Sequence, residues 1–170
     1  MNLSDVPPGT NLFIDSNIFL YVFLKHPSFG RSCKEFFKRI EGREITGFVD
    51  EFVFNEVFHK LMVTAIVNRY RISPHEAVTT AKNNPGILKE LPELWQACEL
   101  LKTIEVKIIP GPFFPDSLVV AQEYQLLATD AIHVAAMNTA GINHIVSNDT
   151  DFSRVESLQV WRPDKTEAPA

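Results

Sequence analysis

The sequence predicts an α/β protein: three layers, α/β/α, around a mainly parallel central sheet of four or five strands. Three observations carry this. Short apolar runs, bounded by Pro, Gly or polar residues, recur with helix-length amphipathic segments between them. The run Asn11-Leu12-Phe13-Ile14 is apolar up to Asp15, as a strand buried on both faces would be. Strands that alternate with helices imply parallel pairing, with helices covering both sheet faces.

Each element follows in order. Pro7, Pro8 and Gly9 precede the first strand. Ser16 and Asn17 offer an N-cap, and a helix is expected from Ser16 to about His26. A second runs from about Ser28 to Glu41, with Cys33, Phe36, Phe37 and Ile40 at i, i+3, i+4 and i+7 and Gly42 at its end. Ile45 to Val49 reads as the second strand. Asp50 caps a long helix, Glu51 to Tyr70, with Phe54, Val57, Phe58, Leu61, Met62, Ala65 and Ile66 as its apolar stripe. Ser73-Pro74-His75-Glu76 combines a cap, a proline at the first helical position and a Glu three residues on, opening a short helix to about Lys82. Asn83 to Gly86 is a turn. Leu88 to Thr103 is helical, with Pro92 able to split it. Glu105 to Ile109 is the third strand. Pro115 opens a helix to about Gln125, and Thr129 caps another from Asp130 to about Thr139. Ile142 to Ser147 is the fourth strand, and Ser157 to Trp161 reads as a last one. Residues 1–163 are expected to form one domain, and 164–170 a disordered tail. The stretch from Asp50 to Thr103 is long for an insertion between two strands, so part of it is expected to protrude as an arm.

Composition bounds the class. With 170 residues, 45% hydrophobic and 22% charged, the chain can bury a sizeable core. The 13 Phe residues read as core filling. A net charge of -5 gives no long-range attraction for a polyanion, so any nucleic acid would be gripped by a local basic patch or through metal ions. Lys34, Lys38, Arg39 and Arg43 form one basic stretch, and Lys60, Arg69 and Arg71 another. Tyr21, Tyr70 and Trp95 are candidates for stacking on bases. Cys33 and Cys98 lack metal-ligand spacing. Met1 to Thr10 does not read as a signal peptide, and charged residues interrupt every apolar run before it reaches membrane-spanning length. A cytoplasmic protein is expected.

Four acids stand where strand ends and neighbouring helices should converge: Asp15, Glu56, Asp130 and Asp149. Taken singly, Asp130 suits a helix first turn, Glu56 a solvated helix face and Asp149 a polar turn. Taken together they repel one another unless a cation sits among them. All-oxygen donors select a hard divalent ion, Mg²⁺ or Mn²⁺.

The segments Phe13-Ile14-Asp15-Ser16-Asn17, Asn55-Glu56-Val57, Thr129-Asp130-Ala131-Ile132-His133-Val134-Ala135-Ala136 and Ser147-Asn148-Asp149-Thr150-Asp151-Phe152 resemble, in order, the motifs of the PIN domain family, above all the VapC-type toxins of toxin–antitoxin pairs. The resemblance spans about Asn11 to Trp161. It implies a Mg²⁺- or Mn²⁺-dependent endoribonuclease acting on single-stranded RNA, with Asp15, Glu56, Asp130 and Asp149 as catalytic metal-binding acids. Asp151 matches an accessory acid, Asn17 a polar residue lining the site, and Ser147 a position often held by Thr. It further implies a homodimer silenced by an antitoxin protein. Phe52, Val53, Ile72 and Ile87, outside the assigned stripes, are the apolar surface expected for such contacts.

Two other readings are carried. One is a catalytically inactive PIN-like interaction module. The other is a di-iron carboxylate oxidoreductase, prompted by Glu56-x-x-His59 and Asp130-x-x-His133. A phosphoaspartate enzyme would want an Asp two residues after Asp15, where Asn17 stands. His133 is expected to pack or bond near the site.

Overall fold

The computed structural model describes residues 1–165. Residues 166–170, most of the expected tail, lie outside the described residues. Five strands form one parallel sheet: β1 (Asn11–Ile14), β2 (Thr46–Val49), β3 (Lys107–Ile108), β4 (His144–Val146) and β5 (Gln159–Trp161). Their spatial order is β3-β2-β1-β4-β5. The helices are α1 (Ser16–Phe23), α2 (Gly30–Glu41), α3 (Glu51–Tyr70), α4 (Pro74–Asn83), α5 (Pro92–Lys102), α6 (Phe114–Tyr124) and α7 (Ala128–Ala140). Among the described residues no helix is long and apolar enough to cross a membrane.

The chain steps outward from β1 through β2 to β3, then returns to the far side of β1 for β4 and β5. Right-handed crossovers place α1 to α5 on one face and α6 and α7 on the other. β1 lies at the centre, with Leu12, Phe13 and Ile14 fully buried. Phe13 pairs with both Phe48 of β2 and Ile145 of β4. The direction of winding reverses between β1 and β4. That is the switch point where a crevice opens at the carboxyl ends of the strands.

Several boundaries differ from the sequence reading. Asp15 itself is the N-cap residue of α1, so Ser16 and Asn17 are its first helical residues. Helix α1 stops at Phe23, short of His26, because the chain turns through a left-handed Lys25 (φ 53°). There the His26 N–H bonds Tyr21 O, and the Lys25 N–H bonds Val22 O. This is the paired closure that ends many helices, with Lys where Gly is usual. Helix α2 begins at Gly30 rather than Ser28 and closes in the same way. Arg43 (φ 56°) takes the left-handed position, not Gly42. Thr129 is not a cap: Leu127 holds that place, and Thr129 and Asp130 lie inside the first turn of α7. Residues 85–90 are a 3₁₀ helix that takes in the last two residues of the expected turn, and Pro92 opens α5 instead of splitting it. Strand β3 keeps two residues of the expected five, because only Lys107 and Ile108 pair with β2.

The capping predictions at Asp50 and Ser73 hold. Asp50 accepts from the Val53 N–H, and Ser73 with Glu76 forms a reciprocal capping box. The apolar surface lies elsewhere than expected. Val53 and Ile87 are core residues, because α3 packs on α1 and the 85–90 turn folds inward. Phe52 is exposed and Ile72 half-buried. Among the most exposed apolar side chains are Leu127, Leu100 on α5 and, on α6, Phe114, Val119 and Leu118. Asp164, first residue of the expected tail, accepts hydrogen bonds from the backbone and hydroxyl of Ser4.

Gly47 marks the tightest approach in the core. A Cβ there would lie 2.6 Å from Ile14 Cδ1 and 2.9 Å from Ile40 Cδ1, both on buried residues. Overpacking at such a place costs about 1–3 kcal/mol. Gly47→Ala should therefore lower the urea midpoint of unfolding, and an unchanged or raised midpoint would show that the β1–β2–α2 contact has slack.

Candidate active site

The site grows from the carboxyl ends of β1 and β4. Apolar burial on both faces of β1 fixes its register, which delivers Asp15 to the edge of the core, 6% exposed. The Asp15 N–H bonds Val146 O, extending the β1–β4 ladder by one residue. Buried Ser147, one residue past β4, donates its hydroxyl to Asp15 Oδ2 at 2.5 Å. Asn17 Nδ2 donates to the same oxygen and to Ser147 Oγ at 3.0 Å. Ser147 Oγ also accepts the Asp149 N–H at 2.9 Å. Asn17 and Ser147 thus orient Asp15 and tie it to the Asp149 loop. Burial pushes the Asp15 carboxyl up, and the Ser147 hydrogen bond only partly offsets this.

Asp15, Glu56 and His133 bring one ligand atom each to within 4.8 Å of one another, a group that could hold a metal ion. Glu56 enters from the second turn of α3, and His133 and Asp130 from α7. Burial, then the charge of Asp149, raises Asp130 to about 6, with Asp15 and Glu56 adding to the effect. The four sequence-predicted acids therefore feel one another across a single site. Asp149 also accepts the Asp151 N–H at 2.9 Å, while the Asp151 carboxylate pairs with Arg154 at 2.9 Å.

His133 is the only buried cation among these groups. Its Nδ1 lies 2.8 Å from Asp50 Oδ2, with both side chains out of solvent. Its Nε2 sits 3.6 Å from Glu56 Oε2, in ion-pair range but too far for a hydrogen bond. Burial opposes protonation of His133, yet Asp50 and Glu56 outweigh it and raise the imidazole to about 10. Burial likewise pushes Glu56 up, but His133 more than compensates and leaves it low. In the absence of a metal ion, an imidazolium serves as counter-ion to the acids.

Asp50 is the residue that sequence reasoning missed. Its cap role was legible, but its second oxygen holds His133. The signal was present: Asp50 follows Val49 at the end of β2 as Asp15 follows Ile14 at the end of β1. Arg162, just past β5, was also missed. Its guanidinium donates to the carbonyls of Asn148 (3.0 Å) and Asp149 (3.2 Å) and to Ser153 Oγ, bracing the loop that carries Asp149. The pattern behind the di-iron reading does not assemble. His59 is exposed, and His133 spends Nδ1 on Asp50.

The family model of the PIN domain matches residues 12–158, most of the chain. The chain belongs to the PIN domain family. Ribonuclease VapC2 of Methanocaldococcus jannaschii is 30% identical over 150 residues, which cover 88% of this chain and 91% of that protein. Solved structures share the PIN fold at lower identity. VapBC2 from Rickettsia felis, bound to a DNA fragment from its promoter, superposes with a TM-score of 0.61 at 12% identity, covering 91% of this chain and all of that one. A toxin–antitoxin complex from Klebsiella pneumoniae gives 0.53 at 17% identity, covering 87% and 95%.

The burial and crowding of Asp130 have a pH signature in the metal-free PIN domain. Asp130 titrates near 6 in the fold against about 3.8 when free. The fold therefore favours its protonated form. The penalty is absent below about pH 4, grows between 4 and 6, and is complete above. Asp130→Asn should stabilise the metal-free protein by about 1–2 kcal/mol at pH 7, after allowance for solvent screening, and hardly at all at pH 4. Urea unfolding at the two pH values measures this. A gain that is equal at both would remove the electrostatic cause.

Proposed function

We propose that this protein is a cytoplasmic, divalent-metal-dependent endoribonuclease that cuts single-stranded RNA and serves as the toxin of a toxin–antitoxin pair. One observation carries the reading. Asp15, Glu56, Asp130 and Asp149 gather at the switch point of a PIN-domain sheet, and burial together with the charges of Asp149, Asp15 and Glu56 raises Asp130 to about 6. The name of the M. jannaschii relative supports the nuclease, and the toxin–antitoxin neighbours support a protein inhibitor.

Asp15, Asp130 and Asp149 would hold Mg²⁺ or Mn²⁺, with Glu56 as a further ligand or acting through water. Such an ion supplies charge stabilisation to phosphoryl oxygens and lowers the pKa of attacking water. The protein's own groups prepare the geometry. Asn17 and Ser147 hold the Asp15 carboxylate in one orientation. Arg162 fixes the backbone that presents Asp149. His133, braced by Asp50, keeps Glu56 ionised and directed inward. Asp151, engaged by Arg154, stands by as an accessory acid. No nucleophilic side chain is required. An inactive interaction module on this fold would have no use for four mutually repelling acids.

Mn²⁺ should sustain cleavage of single-stranded RNA by the purified protein. Asp15→Asn, Asp130→Asn and Asp149→Asn should each lower the rate by about 100-fold or more, and Asp151→Asn by less. Mn²⁺ should also raise the melting temperature of the wild type, by mass action, and much less that of Asp15→Asn. Full activity in any of the first three variants, free of contaminating nuclease, would refute the assignment.

The toxin reading includes a homodimer, for which the exposed apolar side chains of α6 are the natural surface. Light scattering should give twice the 19.2 kDa chain mass, and Leu118→Glu should lower it. A concentration-independent monomer in the wild type would rule the dimer out.

A further inference from the structure

An acid site in a chain of net charge -5 repels the phosphates it is meant to receive. Free cations close to the site are therefore informative. Many basic side chains are already engaged. Lys38 pairs with Glu35, Arg39 with Glu44, Lys102 with Glu99, and Arg154 with Asp151. Lys25, Arg31 and Lys34 differ: all three are exposed, and none makes an ion pair or side-chain hydrogen bond among the described residues. With Lys38 and His26 they line one open groove of about 640 Å³. The one acid on its wall, Glu35, is held by Lys38.

The fold sets this groove beside the acids. Helix α2 ends near the start of β1, where the Gly9 N–H bonds Glu44 O, so its beginning points to the opposite, carboxyl edge of the sheet. Arg31 there shares a cavity with Leu3 and Ser4. Leu3 is bonded to Arg162, whose guanidinium braces Asn148 and Asp149. A second link comes through Tyr21. Its hydroxyl accepts from Asn148 Nδ2 at 3.0 Å, and its ring packs on His26 (4.7 Å) and Phe29 (5.0 Å). Along α1 the rise from Asp15 to Phe23 is about 12 Å, and Lys25 follows two residues on.

The surface is also rigidly built. The closure at Lys25 fixes that residue in the left-handed conformation. His26 Nδ1 accepts the N–H groups of Ser28 and Phe29. Gly30 allows the close crossing, since a Cβ there would meet Tyr21 O at 2.9 Å. The first turn of α2 adds its positive end to the groove.

We propose that Lys25, Arg31 and Lys34, on the α1–α2 turn and the start of α2, form the track that carries the RNA backbone away from the acid site at Asp15 and Asp149. The proposal rests on the reading that the substrate is single-stranded RNA, and names where this acidic protein grips it. The contacts are to phosphates, so the track sets affinity and direction and reads no sequence. Lys38 joins it only by giving up Glu35.

The test is binding of a short labelled single-stranded RNA, without divalent ions, across a range of salt. Each phosphate neutralised on a single strand contributes about 0.7 to the slope of log affinity against log salt. The triple variant Lys25→Ala, Arg31→Ala, Lys34→Ala should flatten that slope by about 2 and weaken Kd about tenfold or more at physiological salt. It should unfold at the wild-type midpoint, since all three side chains are exposed. Lys25→Arg, Arg31→Lys, Lys34→Arg should restore binding, because charge and not shape is used. Unchanged Kd and slope in the alanine variant would overturn the track, leaving an acidic protein segment as the occupant to consider. Failure of the wild type to bind RNA would overturn it too. A wild type that binds through these residues but does not cut with Mn²⁺ leaves the track standing and defeats the catalytic reading instead.

Discussion

The buried pair between Asp50 and His133 is the interaction on which the rest of the site depends. Ionised carboxylates are costly to bury without opposite charge. The core delivers Asp15 to the sheet edge, α3 delivers Glu56, and the β4 loop delivers Asp149. Burial, with their charges added to it, holds Asp130 near 6. What makes the arrangement tolerable is one imidazolium, set against Asp50 on one side and facing Glu56 on the other. Asp50 can serve because its other oxygen is already fixed as the cap of α3. A helix cap, a counter-ion and the Glu56 carboxylate are thus linked through Asp50 and His133.

Topology explains why these groups meet. The winding reversal between β1 and β4 leaves no crossover directly above their junction, so the carboxyl edge stays open there. Asp15, Ser147 and Asp149 belong to those two strands or the loop after them. Asn17 and Arg162 then stiffen the junction from α1 and from the end of β5. Positive charge is displaced to the α1–α2 turn, outside the acid cluster.

Features set by a few consecutive residues were legible in the sequence. The apolar run into Asp15, the box at Ser73 and the cap at Asp50 are of this kind, and the family resemblance was carried by four short motifs. Features set by tertiary contact were not. Lys25 and Arg43 take left-handed positions where Gly is the usual signal, so α1 ends earlier than its apolar pattern implies. Thr129 looks like a cap, but the extended residue before α7 is Leu127. Val53 and Ile87 fall off the helical stripes yet are buried by α1 and by the inward fold of the 85–90 turn. The acids could be named one by one. The partnership of Asp50 with His133 spans 83 residues and needed the fold.

The central claim is that the carboxylates hold the metal ion while His133 stays protonated beside them as a counter-ion. Manganese anomalous scattering from a Mn²⁺-soaked crystal tests this most directly. The account predicts a peak at coordination distance, about 2–2.5 Å, from carboxylate oxygens of Asp15 and Asp149, with His133 Nδ1 still on Asp50 and Nε2 unligated. A peak bonded to His133 Nε2, or no peak at the junction of β1 and β4 in crystals saturated with the ion, would contradict it.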